Sequence, residues 1–199
     1  MKDLFKEALI DGIKVKTQLQ QKEYSDSFEV MGDVMVQAIK NNKKLLFCGN
    51  GGSAADAQHL AAELLVRLRP SFNRDPIAAI ALTMDTSTIT ACGNDFGYEH
   101  LFERNVLALG QEGDVLICIS TSGMSKNIEL AAIAAKSIGV TTCGFLGKDG
   151  GLLKNFCDYS MIIPSSNTAR IQECHIILGH SLMEYLEDKL LESKFIKRY

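Results

Sequence analysis

The sequence contains no tryptophan, only 3 prolines among 199 residues, and no excess of either charge, since 21 basic and 24 acidic side chains give a net charge of −3. No apolar run approaches the ~20 residues that span a membrane, and the first residues lack the apolar stretch of a signal peptide. We therefore expect a cytoplasmic protein with neither a membrane nor a nucleic-acid partner. With 46% hydrophobic and 23% charged residues, the composition is that of one folded domain, which we take as residues 1–199.

The six cysteines form no C-x-x-C pair, the spacing that is typical of redox motifs. Four of them lie in or beside apolar runs, at Cys48, Cys118, Cys143 and Cys157. Buried reduced thiols are the expected interpretation for a chain of this size without a secretion signal. Cys92 and Cys174 are conceivable catalytic thiols, although neither has a stronger claim to that role than to core packing.

Five short and nearly continuous apolar runs recur along the chain, as expected for strands that are covered on both faces. They lie at 44–48, 77–82, 114–120, 141–146 and 159–164. The segments between them carry amphipathic stretches at 53–68, 98–109, 125–138 and 151–156. Alternating strands and helices at this spacing predict right-handed crossovers and a parallel sheet. The fold class is therefore predicted as α/β, a doubly wound five-stranded parallel sheet flanked by helices.

Additional helices are predicted at both ends of the chain. Residues 4–20 and 28–40 form two amphipathic stretches that separate near Ser25 and Asp26, and the pair within 1–42 is expected to pack on the sheet and on neighbouring subunits. Residues 168–191 form one long helix whose apolar side chains cover more than one face. A single sheet contact does not need that much apolar surface, so we expect an oligomer.

A glycine-rich loop follows the first predicted strand, with the sequence CGNGGSA at 48–54. Glycines allow the backbone to approach a ligand closely, Ser53 can cap the next helix, and a helix N-terminus attracts an anion. The loop also fits the dinucleotide pattern G-x-G-x-x-A. That interpretation needs an acid about 20 residues further on, but position 69 is arginine and the first acid beyond the second strand is Asp85. The sequence therefore favours an anion over a dinucleotide.

A hydroxyl-rich loop, STSGMS at 120–125, follows the third predicted strand. Its hydroxyls and the helix after it can form a neutral cradle for a phosphate, although such a cluster is often only a capped turn. The G-x-x-x-x-G-K-[ST] motif of nucleoside triphosphatases is absent. Because the carboxyl ends of parallel strands collect ligands, this loop and the glycine loop together predict a site for a phosphorylated small molecule.

Histidines and a glutamate are placed where they could serve this site. His59 and Glu63 are four residues apart on one predicted helix, and Gln172, His175 and His180 lie on the last one. An imidazole beside a carboxylate can bind a divalent metal or transfer protons, although an isolated pair of this kind is more often a surface contact.

Five segments carry a resemblance to a known family. They are CGNGGSAADAQHLAAEL (48–64), GNDFGYEHLF (93–102), EGDVLICISTSGMSKNI (112–128), GKDGG (147–151) and ARIQECHIILGH (169–180). Together they resemble the phosphoheptose isomerase family of the sugar-isomerase (SIS) domain superfamily, and the resemblance spans the whole chain. The serine motif alone marks only the superfamily.

The resemblance implies a SIS-type fold and a homotetramer with active sites between subunits. It also implies one zinc ion per subunit and conversion of D-sedoheptulose 7-phosphate into D-glycero-D-manno-heptose 7-phosphate, which supplies bacterial nucleotide-activated heptose. Carried over by motif, the substrate contacts fall on Asn50, Gly51, Gly52, Ser53, Glu63, Asn94, Asp95, Ser120, Thr121, Ser122, Ser125 and Gln172. The zinc ligands fall on His59, Glu63, Gln172 and His180. Of these, Glu63 and His180 would form the acid/base pair.

Some alternatives remain open from the sequence. Ala54, Ala55 and Ala169 stand where some family members carry polar or charged side chains. Gln172 and His180 are eight residues apart, hence ~12 Å along an ideal helix and rotated by roughly 80°, so one ion reaches both only with extended side chains or with a second subunit's help. A catalytically silent phosphosugar-binding or replication-initiator-binding protein would share these loops, as would an isomerase for a shorter phosphosugar.

Overall fold

A computed structural model describes residues 3–71 and 73–199. Its centre is one sheet of five strands, β1 (Leu45–Gly49), β2 (Ala79–Ala81), β3 (Val115–Ser120), β4 (Thr141–Gly147) and β5 (Tyr159–Ile163). The strands pair only in parallel, in the order β2-β1-β3-β4-β5. Every residue of β1 and β3 is buried, because helices cover both faces of the sheet. The predicted five-stranded parallel sheet is confirmed.

Within 3–71 and 73–199, seven α-helices surround the sheet: α1 (Leu4–Gln18), α2 (Lys22–Lys40), α3 (Gly52–Leu65), α4 (Thr86–Asp95), α5 (Leu101–Leu109), α6 (Lys126–Ser137) and α7 (Thr168–Glu192). Short 3₁₀ turns occupy Tyr98–His100 and Leu153–Asn155. Apolar residues of α2, α3 and α7 form one core with the sheet, and those of α5 and α6 form a second core on the other face. The two cores show the predicted double winding. Among the described residues, no helix is long and apolar enough to cross a membrane.

The predicted break between the two N-terminal helices was wrong by several residues. The structure begins α2 at Lys22, after a turn at 19–21, whereas the prediction placed the break near Ser25 and Asp26. Gln21 is extended and ends the turn. Ser27 lies inside the helix, where its hydroxyl donates a 2.9 Å hydrogen bond to the Glu23 carbonyl. Polar residues that usually mark a helix end are thus accommodated within the helix.

The helix α4 was missed in the sequence. Its residues include three threonines and a serine, and Cys92 is its one buried residue, so it shows little amphipathic pattern. Its N-terminus is nevertheless capped by Asp85, whose carboxylate accepts from the Ser87 N–H at 3.0 Å. The predicted helix at 98–109 begins as a 3₁₀ turn and becomes α-helical at Leu101, and the predicted helix at 151–156 is only a 3₁₀ turn.

The strand order places the loops after β1 and β3 side by side. From β1 the chain crosses to β2 on one side, and from β3 it continues to β4 and β5 on the other. This is the point of a doubly wound sheet where a crevice opens beyond the carboxyl ends of the strands. The glycine loop at 49–53, within the segment 48–54 singled out in the sequence, and the loop at 120–125 therefore flank the same crevice.

Candidate active site

The glycine loop (49–53) turns sharply from β1 into α3. Gly51 has a φ of 57°, and the Ser53 N–H donates to the Asn50 carbonyl at 3.0 Å. A Cβ on Gly49 would lie 2.4 Å from the Ser53 carbonyl oxygen, so only glycine fits there. Ser53 itself is buried. The N–H groups of Ala54 and Ala55 both donate to the Gly51 carbonyl, at 3.0 and 3.2 Å, so the first turn of α3 is closed by the loop itself.

The serine loop (120–125) is held by its own hydroxyls and by the segment after β4. The Ser120 hydroxyl accepts from the Gly123 N–H at 3.1 Å and lies 3.2 Å from the Ser125 hydroxyl. Gly123 has a φ of 65°, and a Cβ there would lie 2.1 Å from the Gly150 carbonyl oxygen. The GKDGG motif at 147–151 therefore supports the serine loop from behind, which leaves Thr121 and Ser122 partly exposed at the crevice.

Asn94 and Asp95 lie at the end of α4, where both are exposed. The Asn94 amide donates to the Asp95 carboxylate at 2.7 Å. Three residues further on, the Tyr98 hydroxyl donates to the Asn50 side-chain oxygen at 2.9 Å. This contact brings the segment after α4 to the glycine loop, although contact of Asn94 or Asp95 with a substrate stays a prediction.

His59, Glu63 and His180 come together in one subunit. The His59 Nε2 atom lies 2.8 Å from the His180 Nε2 atom and 3.3 Å from the Glu63 carboxylate. One ligand atom from each residue falls within 4.8 Å of the others. The side chains of His59 and Glu63 retain 47% and 17% exposure, so the cluster can be reached by a small molecule.

Close packing of α3 on α7 produces this meeting. A Cβ on Gly179 would lie 2.6 Å from both δ-methyls of Leu60, so the two helices approach as closely as glycine allows. Leu60 directly follows His59, and Gly179 directly precedes His180. The approach of the two backbones therefore brings the two imidazoles into contact.

An arginine that belongs to none of the sequence motifs fastens the same two helices further along. The buried Arg74 donates to the Glu63 and Leu64 carbonyls at 2.7 and 2.8 Å and so caps the end of α3. Its Nε atom also donates to the Glu187 carboxylate of α7 at 2.8 Å, and Arg69 donates to the other Glu187 oxygen at 2.9 Å. The cap thus fixes the backbone of Glu63 relative to α7.

The donor chemistry of the cluster fits a zinc ion. Two imidazole nitrogens and one carboxylate oxygen are ligands that Zn²⁺ takes, and two tetrahedral ligands at ~2.0–2.1 Å from it lie about 3.3 Å apart. The His59 to Glu63 distance of 3.3 Å has that spacing, whereas the 2.8 Å between the two imidazole nitrogens is shorter, so the imidazoles would have to move apart slightly to share an ion. Asp56 lies one turn before His59, and its Oδ2 atom is buried without a hydrogen-bond partner among the described residues. Burial raises the pKa of Asp56, and the attraction of His59 and His180 opposes that rise.

The remaining predicted residues of α7 lie elsewhere. The Gln172 amide faces Gly52, since a Cβ on Gly52 would lie 2.3 Å from the Gln172 nitrogen, and Gly52 precedes His59 by two helical turns. Gln172 therefore lies beside the glycine loop, and its role as a fourth zinc ligand stays a prediction. His175 is buried against the Leu146 carbonyl at 3.1 Å, and burial lowers its pKa to about 4.

None of the cysteines belongs to the cluster of His59, Glu63 and His180. All six are free thiols, and all but Cys157 are buried. Burial raises the pKa of Cys174 and Cys143, which disfavours the reactive thiolate. Core packing therefore accounts for them.

Comparison with known proteins agrees with this geometry. A family model described as the SIS domain matches residues 11–147. A phosphoheptose isomerase of Clostridium acetobutylicum is 48% identical over 195 residues, which cover 98% of this chain and 98% of that protein. The chain belongs to the phosphoheptose isomerase family.

Two solved structures of this isomerase family have the same fold. The phosphoheptose isomerase of Neisseria gonorrhoeae superimposes with a TM-score of 0.87 at 39% identity, over 94% of this chain and 98% of that one. The enzyme from Francisella tularensis gives a TM-score of 0.89 at 35% identity, over 94% of this chain and 100% of that one. The resemblance seen in the sequence motifs is confirmed, and the protein is an isomerase of this family.

Proposed function

We propose that this isomerase interconverts D-sedoheptulose 7-phosphate and D-glycero-D-manno-heptose 7-phosphate, the first step toward nucleotide-activated heptose in bacteria. The observation that carries the proposal is the contact of His59, Glu63 and His180 on α3 and α7, of which α3 begins at the glycine loop. The names of the family members supply the substrate, and the site supplies the groups that the reaction needs.

An aldose–ketose isomerisation moves one proton between adjacent carbons through an enediol. It requires a base at the carbon, an acid at the carbonyl oxygen and an anchor for the phosphate. We assign Glu63 as the base, because its backbone is held by Arg74 while its carboxylate reaches the cluster. His180 serves as the acid, because α7 holds it at the opposite side of the same cluster.

The phosphate anchor is proposed to be the serine loop, with Ser120, Thr121, Ser122 and Ser125 as its hydroxyl donors. The glycine loop (Asn50 to Ser53), Asn94, Asp95 and Gln172 would contact the rest of the sugar phosphate. A neutral anchor suits a phosphate that must bind and leave in each turnover. The N-terminus of α6 adds its dipole to these hydroxyls.

Zinc is the proposed cofactor, at one ion per subunit. His59, Glu63 and His180 would hold it, with Gln172 as the predicted fourth ligand. When bound, zinc polarises a carbonyl oxygen as a Lewis acid. The ligand spacing and the buried carboxylate of Asp56 support this assignment.

A homotetramer is proposed for the assembly, with 1–199 as a single domain whose N-terminal pair, 1–42, packs on the sheet and on neighbouring subunits. The supporting observation is the apolar surface left on α1, where Phe5, Leu9 and Ile13 stand one turn apart with 51–75% exposure. Such a stripe is costly in water and is typical of a subunit interface. We place the enzyme in the cytoplasm, where phosphosugars are found.

The Glu63→Gln variant tests the assignment of the base. Turnover of sedoheptulose 7-phosphate should fall about 10²–10⁴-fold, the contribution of a positioned general base, while calorimetry still detects binding of the sugar phosphate. Glu103→Gln is the matched control, because Glu103 pairs with His100 at 2.6 Å outside the cluster. Full activity of Glu63→Gln would refute the assignment.

Fructose 6-phosphate and arabinose 5-phosphate serve as alternative substrates, and turnover of one of these alone would change the proposed substrate. Binding without any turnover by the wild type would indicate a silent binding protein.

Chelation tests the metal. We expect the purified protein to hold about one zinc per subunit, to lose activity after treatment with a chelator and to regain it on addition of Zn²⁺. His59→Ala should abolish retention of the ion. A fully active preparation without metal would contradict the proposed cofactor.

A further inference from the structure

The buried side chain of Asn127 forms a reciprocal pair with Asn50. The Asn50 amide donates to the Asn127 oxygen at 2.9 Å, and the Asn127 amide donates back to the Asn50 oxygen at 2.9 Å. Asn127 is only 4% exposed, so water does not compete effectively for these bonds. The Tyr98 hydroxyl donates to the same Asn50 oxygen, also at 2.9 Å.

These contacts use most of the hydrogen-bonding capacity of Asn50. An amide oxygen accepts two hydrogen bonds, and both are taken, by Asn127 and Tyr98. Of the two amide hydrogens of Asn50, one is donated to Asn127. The side-chain oxygen of Asn50 is thus unavailable to a ligand. Asn50 and Asn127 therefore form a brace, and Asn50 keeps its second amide hydrogen and its backbone for contact with the substrate.

The position of the pair gives the brace its function. Asn50 lies in the glycine loop, and Asn127 lies in the first turn of α6, two residues after the last serine of the serine loop. Among the side-chain hydrogen bonds of the described residues, this pair alone joins the glycine loop to the first turn of α6, which directly follows the serine loop. The β1–β3 pairing fixes the strands beneath, but beyond Gly49 and Ser120 each loop follows its own course.

We propose that Asn127 is a positioning residue, which acts through Asn50 to set the distance between the two loops that bind the phosphosugar. The inference rests on the proposed function, since it concerns the binding part of the same site. The Tyr98 hydroxyl adds to the brace, because it joins the segment after α4 to the side-chain oxygen of Asn50. The catalytic cluster is held separately, by Gly179 against Leu60 and by Arg74. Loss of the brace should therefore weaken substrate binding more than turnover.

Asn127→Leu tests the proposal, because leucine has a similar size, carries no charge and makes neither hydrogen bond. We expect KM for sedoheptulose 7-phosphate to rise about tenfold or more, as on losing buried hydrogen bonds, with kcat within about threefold of the wild type. Thr142→Val is the matched control: Thr142 is also buried and hydrogen-bonded, to Asp158 at 2.8 Å, but lies at the opposite end of the sheet. It should lower the melting temperature without changing KM.

Tyr98→Phe provides a second, milder variant that removes a single hydroxyl from a half-exposed side chain. It should raise KM in the same direction, and its effect should be less than additive with that of Asn127→Leu, because both act through Asn50. An unchanged KM in Tyr98→Phe and Asn127→Leu would overturn the proposal, as would a loss of stability with kcat alone reduced. If Asn127→Leu does not fold, the KM of Tyr98→Phe alone tests the proposal.

Direct binding distinguishes failure of this inference from failure of the proposed function. Calorimetric titration with sedoheptulose 7-phosphate measures how the brace affects affinity, even if the protein does not turn this substrate over. Weakened binding in Asn127→Leu supports the brace whatever the reaction catalysed. An active wild type with equal affinity in the variant would overturn the brace and leave the isomerase function in place.

Discussion

Replacing Gly179 by alanine perturbs the contact that brings His180 to His59. The added methyl would lie 2.6 Å from both δ-methyls of the fully buried Leu60. Carbon atoms pack best at about 3.5–4.0 Å, so α7 and α3 would have to separate locally by about 0.9 Å, or Leu60 would have to leave its rotamer. Both responses disturb a helix pair whose imidazoles lie one residue away.

The expected magnitude follows from this overlap. An extra methyl in a packed core costs about 1–3 kcal/mol. For a domain of this size the loss lowers the melting temperature by about 2–4 °C per kcal/mol. A displacement near 1 Å at reacting groups can reduce turnover by about 100-fold. We therefore expect Gly179→Ala to lose more activity than its stability alone would explain.

A double-mutant cycle with Leu60→Ala provides the assay. Leu60→Ala alone leaves a cavity that costs about 2–5 kcal/mol, whereas in the double variant the alanine methyl at 179 occupies part of that space. Urea unfolding should show the double variant to be more stable than the sum of the single effects by about 0.5–3 kcal/mol. Gly93→Ala is the stability control, because a Cβ there meets no atom within 4 Å and alanine favours the exposed helix. Strict additivity, or a Gly179→Ala variant with normal stability and turnover, would refute the reasoning.

Two further predictions concern buried charge. Glu187→Gln should lower the free energy of unfolding by about 3–5 kcal/mol, because it leaves the buried Arg74 guanidinium without its counter-ion; a change below 1 kcal/mol in urea unfolding would contradict this. Burial lowers the pKa of His175 to about 4. Between pH 6.5 and 4 the unfolded chain therefore binds a proton at this imidazole, whereas the folded protein does not. Stability should therefore fall by roughly 3 kcal/mol as the pH drops from 6.5 to 4, and His175→Gln should show an acid dependence weaker by that amount.

The sequence predicted those parts of the fold that depend on local pattern. Continuous apolar runs identified all five strands, because both faces of a parallel sheet are buried. The helix α4 was missed for the opposite reason: it buries one cysteine and gives no apolar period, and its single local signal is the Asp85 cap. The start of α2 was misplaced because Ser27 satisfies its hydroxyl within the helix.

The structure brings together three of the predicted site residues, His59, Glu63 and His180, through contacts that the sequence did not reveal. His59 and Glu63 share a helix face, which spacing alone reveals, and the family motifs added His180. Nothing local indicates that Gly179 meets Leu60 or that Arg74 reaches across to Glu187, because these residues are more than 100 positions apart. Asn127 was likewise hidden, since its partner is on another strand's loop.

The proposed catalytic cluster and the proposed phosphate anchor are fastened by different contacts. The GKDGG segment packs on the serine loop and Asn127 pairs with Asn50, whereas Gly179, Leu60 and Arg74 hold the helices that carry the proposed acid/base groups. Capture of a phosphosugar can therefore survive the loss of its conversion. A relative that replaced Glu63 or His180 would keep its binding site and could serve as a phosphosugar receptor. The same separation makes this scaffold suitable for engineering a biosensor that binds phosphosugars without converting them.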